Sequence, residues 1–130
     1  MSRAGDLSPQ AAWELLDADS VLLDVRTSGE WQHIGVPDLS SRTADVVFIE
    51  WNTGDGSTNA DFLRQLTEAV PVEKKLLVLC RSGVRSLAAA QLASDAGYTA
   101  YNILEGFEGV QDGYGDRVVN GWKNRGLPWK

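Results

Sequence analysis

The sequence predicts an α/β domain, doubly wound around a mainly parallel sheet of about five strands with helices on both faces. Three observations carry this. Short, almost wholly apolar runs recur at Val21-Leu22-Leu23-Asp24-Val25, Ala44-Asp45-Val46-Val47-Phe48-Ile49 and Leu76-Leu77-Val78-Leu79, and such runs suit strands covered on both faces, as in parallel sheets. Segments with helical signals alternate with them. Length sets the scale: 130 residues suit one domain over 1–130, with its core at about 7–128, and are too few for two ordinary domains.

Ser8-Pro9-Gln10-Ala11-Ala12-Trp13-Glu14-Leu15-Leu16 reads as the first helix, with Ser8 as N-cap and Pro9 at the first helical position. The strand Val21–Val25 follows, and Arg26 to His33 can hold one helical turn. After the strand Val46–Ile49, Asn52 to Ser57 is a loop by composition. Asn59 or Thr58 is expected to cap a helix over Ala60–Val70, with Phe62, Leu63, Leu66 and Val70 inward and Pro71 as its stop. Leu76–Leu79 is the third buried run. Val84–Ala96, rich in Ala and Leu, is the clearest helix, with Gly97 just past its end. Ala100–Ile103 is a further strand. The Gly-rich, Trp-bearing tail is expected to carry one helical turn near Val118–Asn124, and its tryptophans read as core and tail anchors.

Composition excludes several classes. An apolar share of 43% is ordinary for a folded domain and argues against disorder. No apolar run approaches the roughly 20 residues a membrane span needs. Met1 to Gly5 leads straight into a helix signal without an apolar h-region, so no secretory leader is expected. With 12 basic and 18 acidic residues the net charge is −6, which disfavours nucleic-acid binding through the overall field. The single cysteine, Cys80, leaves no internal disulfide and no multi-cysteine metal site. No metal-ligand spacing, G-x-G-x-x-G or Walker loop occurs, so no metal and no cofactor is expected. A reducing, cytoplasmic setting is expected.

The chemistry concentrates in Leu79-Cys80-Arg81-Ser82-Gly83-Val84-Arg85-Ser86. A buried strand runs into a cysteine, a short loop and then a strong helix. Ligands bind at the carboxyl ends of strands in open parallel sheets, which is where Cys80 falls. Loop N–H groups and the helix N-terminus stabilise negative charge there, favouring a nucleophilic thiolate. Gly83 permits the tight curl. Arg81 and Arg85 place two cations by the loop and point to an anionic substrate. A lone cysteine after an apolar strand is more often inert core, but two arginines and a glycine are poor company for a core thiol.

Cys80-Arg81-Ser82-Gly83-Val84-Arg85-Ser86 resembles the C-x-x-G-x-R-S active loop of rhodanese-like sulfurtransferases. Leu23-Asp24-Val25-Arg26 with Glu30-Trp31 is similar to their L-D-V-R…E-[FYW] element. Tyr101 to Phe107 with Gly126-Leu127-Pro128 resembles their closing strand, Gly-rich turn and G-L-P. The resemblance covers Leu7 to Pro128. It implies a rhodanese-like fold in which Cys80 takes sulfane sulfur from an anionic donor such as thiosulfate, holds it as a persulfide, and passes it to cyanide, a thiol or a partner protein's cysteine. Arg81, Ser82, Gly83, Val84 and Arg85 are then the cradle, with Ser86 in support. The chain departs from the family's G-H-I-x-G-A at Gln32-His33-Ile34-Gly35-Val36-Pro37, which predicts a reshaped crossover.

Asp24 is expected to orient the loop by accepting its N–H groups, and Arg26 with Glu30 to form a structural ion pair. His33 is a weak candidate for a general base. Two other functions compete. A cysteine phosphatase or arsenate reductase needs C-x5-R, but position 86 is Ser86 and the arginine comes one residue early, at Arg85. A non-catalytic rhodanese-like binding module is the second; the cysteine and its cationic loop weigh against it.

Overall fold

Each apolar run of the sequence is a strand, displaced by no more than one residue at an end. The computed structural model describes residues 3–130. Its elements are β1 (Gly5–Leu7), α1 (Pro9–Leu15), β2 (Ser20–Asp24), α2 (Ser28–His33), β3 (Asp45–Phe48), α3 (Phe62–Ala69), β4 (Lys75–Leu79), α4 (Val84–Asp95) and β5 (Thr99–Ile103). The five strands form one sheet in the order β1-β5-β4-β2-β3, and every pairing is parallel. This is the doubly wound arrangement the sequence predicts.

The sheet's two faces divide the apolar residues by alternation. Val21 and Leu23 of β2 and Leu76 and Val78 of β4 face α3 and α4, meeting Phe62, Leu66, Ala89, Ala90 and Ala93. Leu22, Leu77, Leu79 and Ile103 face the other way, onto Ala12 and Leu16 from the α1 side and Phe107, Trp122 and Leu127 from the tail. Burial on both faces is why β2 shows no polar alternation: all five of its residues are buried.

Local signals account for most boundaries. Ser8 caps α1 through its hydroxyl and the Ala11 N–H. Thr27 and Glu30 form a reciprocal capping box that starts α2. The fifth strand is β1, which precedes α1; three residues are too few to show a period, and it exists through pairing with β5. Two expectations about α3 are corrected. The expected cap at Asn59 or Thr58 is not one: α3 begins at Phe62, preceded by Asp61 with no side-chain cap bond, and Asn59 Oδ1 accepts the Asp61 N–H at 3.1 Å while its amide donates to the Glu50 carbonyl and Gln65. The helix accordingly runs Phe62–Ala69 rather than Ala60–Val70. The helical turn expected near Val118–Asn124 lies a few residues later and goes no further than one turn: Arg125 N–H donates to the Gly121 carbonyl at 2.9 Å, and no helix continues from it.

The crossover after α2 is tied to the tail. After α2 the chain pairs with its own C-terminus: Val36 and Lys130 exchange two backbone hydrogen bonds of 2.8 Å, and Asp38 N–H reaches the Pro128 carbonyl at 3.0 Å. Trp122 anchors the tail. It is fully buried, packs edge-on against Trp13 and donates its indole N–H to the Pro128 carbonyl at 2.7 Å. Trp122→Ala is expected to lower unfolding stability by about 3–5 kcal/mol, read as a drop in the urea midpoint.

Candidate active site

Cys80 immediately follows β4 and is 1% exposed. From there the chain must reverse into α4 within Arg81-Ser82-Gly83. Gly83 makes the reversal possible: it is the N-cap of α4 at φ +106, a conformation that strains any residue with a Cβ. The turn brings the Gly83 N–H to 3.1 Å from Cys80 Sγ, at the positive end of a 12-residue helix. On its other side the sulfur lies 3.2 Å from Ser86 Oγ. The Ser86 hydroxyl donates in turn to Asn102 Oδ1 at 2.5 Å. Ser86 and Asn102 are both buried.

The loop is backed from behind by the turn after β5. Phe107 N–H donates to the Cys80 carbonyl at 2.8 Å, and Glu108 and Gly109 N–H groups to the Arg81 carbonyl at 3.0 and 3.2 Å. Gly106 lets the two backbones meet: a Cβ there would stand 2.5 Å from the Cys80 oxygen.

The structure brings Cys80, Gly83, Ser86 and Arg85 together, but redistributes the charges. Arg85 does not stand free beside the sulfur; it forms a two-pronged bridge with Glu30 of α2, at 2.7 and 3.0 Å. Burial works to raise the Glu30 carboxyl, but the Arg85 hydrogen bonds, the Thr27 N–H and the charges of Arg85 and Arg26 outweigh it, so Glu30 lies below its usual range. The Arg85 guanidinium is held up chiefly by its hydrogen bond to Glu30, against burial, with smaller help from the charges of Glu30, Cys80 and Asp24. Arg81 turns outward, its side chain 47% exposed, to Glu108 at 3.3 Å. Both cations expected to face an anionic ligand thus have carboxylate partners.

The expected Arg26–Glu30 pair is corrected. Arg26 is two residues from Asp24 along the same chain end, and the two form a fully buried pair at 2.7 Å. That leaves Glu30 for Arg85. Asp24 likewise does not accept from the active loop; it takes the Arg26 N–H at 3.2 Å and the guanidinium. Arg26 also donates to the Gly35 carbonyl at 2.9 Å and stacks on Phe107, so it braces the crossover against the turn behind the loop. His33 ends α2 at an exposed position, with no described bond to Cys80. Val84, 75% exposed, and Ser82 form the outer rim rather than a wall around the sulfur.

One more expectation needs correction. Of the loop's N–H groups, Gly83 is the one described as reaching the sulfur. Arg81 and Val84 are exposed and Ser82, Gly83 and Arg85 half-buried, with the thiol buried beneath them. Asn102 and Glu108 escaped the sequence reading. Asn102 had a signal, as a polar residue inside the apolar run Tyr98 to Leu104; Glu108 had none.

Among known proteins, the family model described as the STR4 middle domain matches residues 5–130. An uncharacterized protein of Rickettsia conorii is 36% identical over 115 residues, covering 86% of this chain and 84% of the relative. The chloroplastic thiosulfate sulfurtransferase 16 of Arabidopsis thaliana is 29% identical, over 95% of this chain and 91% of that protein. The crystal structure of Rv0390 from M. tuberculosis superposes with a TM-score of 0.93 at 48% identity, covering 99% of this chain and 98% of that one. A rhodanese-related protein from Thermoplasma volcanium shares the fold, with a TM-score of 0.62 at 22% identity over 96% of each chain.

Glu30→Gln tests the bridge, since glutamine can retain the capping box while removing the charge. It is expected to lose about 1–3 kcal/mol at neutral pH by leaving half-buried Arg85 with a neutral partner. Because Glu30 is depressed on folding, its contribution is present above the unfolded carboxyl value of about 4.3 and disappears as pH falls through the lower folded value. Urea midpoints of the two proteins should therefore begin to converge as pH falls past about 4.3 and meet below the folded value.

Proposed function

Because the chain belongs to the rhodanese-like family, through its match to the STR4 middle domain, we propose that it is a sulfurtransferase working through a persulfide on Cys80. The observation that carries this reading is the placement of the sulfur, after β4 and 3.1 Å from the Gly83 N–H at the head of α4. A thiolate there attacks the outer sulfur of an anionic donor such as thiosulfate. The donor's S–S bond breaks, sulfite departs with its electron pair, and Cys80 holds a persulfide. A thiol or cyanide then attacks the terminal sulfur, and the Cys80 thiolate is the leaving group. No external oxidant or reductant is needed.

With one cysteine in the chain, no second thiol can resolve the persulfide internally. The acceptor is therefore a small nucleophile or the cysteine of a partner protein. A reducing, cytoplasmic setting suits the cycle, which begins from a free thiol. Among the described residues no helix is long and apolar enough to cross a membrane.

Burial of Cys80 and the pairing of both arginines favour a second reading, a rhodanese-like binding module without turnover. Intact mass separates the two. Thiosulfate is expected to add one sulfur atom to the protein, cyanide to remove it, and Cys80→Ser to abolish both; absence of the sulfur adduct would favour the binding module. Arg81 is the cation that a donor meets first, since its side chain is 47% exposed against 22% for Arg85. Arg81→Ala is expected to raise the thiosulfate KM by about threefold to tenfold, the weight of an exposed charge contact, while leaving alkylation by a neutral reagent near its original rate.

A further inference from the structure

Beneath the thiol, Asn102 has an orientation that its neighbours settle. Its Nδ2 donates to the Gly83 carbonyl at 3.4 Å. The amide also faces Asp6, its register partner on β1, whose carboxyl is held down chiefly by Arg3, against burial, and additionally by Asn102. Both neighbours are acceptors, so the NH₂ end belongs on their side and Oδ1 on the side of Ser86. A serine hydroxyl has one proton, and here it goes to Oδ1 across 2.5 Å. Ser86 can then offer the sulfur only a lone pair, and the Cys80 S–H donates to it across 3.2 Å.

We propose that Asn102 is a positioning residue that competes with the Cys80 sulfur for the single proton of the Ser86 hydroxyl, and so sets how readily the pocket holds that sulfur as an anion. The proposal rests on reading Cys80 as the reactive thiol. A thiolate has no proton to give and needs donors. When the thiol proton leaves to solvent, Ser86 can donate to the sulfur only by rotating its intact O–H away from Oδ1. The buried amide oxygen then loses its donor, which opposes the rotation.

The other charges around the sulfur are Arg85 on α4 with Glu30 behind it, Asp24 at the end of β2 with Arg26 just beyond it, Arg81 in the loop and Asp6 across β5. The variants below leave all of them in place.

The test is the alkylation rate of Cys80 by neutral iodoacetamide across pH, read as a half-plateau pH and a plateau rate. Asn102→Ala releases the Ser86 proton to the sulfur, and the half-plateau pH is expected to fall by about one unit, the scale of one hydrogen bond to a charged group. The fall should vanish when Ser86→Ala is added and survive when Ser86→Thr, which keeps the hydroxyl, is added instead. If Asn102 served only to tether the loop through Gly83, its loss would change the plateau rate equally with or without the hydroxyl. Asn102→Ser, too short to reach Ser86, carries the same expectation should the alanine variant fail to fold. An unchanged or raised half-plateau pH, or an equal fall in the Ser86→Ala background, would overturn the proposal. Failure of thiosulfate to load sulfur would sink the sulfurtransferase reading while leaving this alkylation series readable.

Discussion

The site depends on one backbone clasp: the N–H groups of Phe107, Glu108 and Gly109 satisfying the carbonyls of Cys80 and Arg81. A strand that stops at a cysteine and reverses into a helix leaves carbonyls turned away from the sheet, where no further strand can meet them. Left bare under a packed turn they would be costly. The turn after β5 meets them, at close range because Gly106 has no side chain and because Glu105 accepts a left-handed φ of 69° before it. That turn is itself held: Trp122 N–H bonds the Gly106 carbonyl and Lys123 N–H the Phe107 carbonyl, while Glu105 receives the Gly121 N–H and pairs with Arg125. The tail is thus the rear wall of the loop.

The charges follow the same logic of mutual bracing. Asp24 and Arg26 are fully buried together, and breaking such a pair costs about 3–5 kcal/mol because the survivor stays charged in the interior. Their guanidinium lies on Phe107, one residue past Gly106. Glu30 ties α2 to the first turn of α4 through Arg85. Three residues of one short segment, Asp24, Arg26 and Glu30, therefore fix the loop's surroundings without touching the sulfur.

The sheet, its parallel sense and the position of Cys80 were legible because they rest on local signals: apolar runs, breakers, and a strand–cysteine–glycine–helix succession. The capping of α1 by Ser8 was legible for the same reason. β1 was not, since Gly5–Leu7 carries too little pattern and depends on β5 for its form. Nor were the ion-pair partners. Arg26 with Glu30 was a fair guess from spacing, but partner choice is decided by where Arg85 arrives from the far side of the chain. The same holds for Glu108, which reaches Arg81 only once the tail has folded back. Depth was equally invisible, because the burial of Cys80 comes from packing against α4, which no local pattern records.

The sheet order gives β1 a distinct place in the assembly of the molecule. It is an edge strand of three residues whose one strand neighbour is β5, and the two come from opposite ends of the sequence. Closing so long a loop carries a large entropic toll that few hydrogen bonds can offset. The central strands β2, β4 and β5, together with α4, carry a large share of the buried apolar residues and are expected to form first. β1 is then expected to dock onto a sheet already made and to let go early on unfolding. Asp6 sits there beside Asn102, so the outermost strand to arrive is also the one that completes the polar surroundings of the thiol's hydrogen-bond chain.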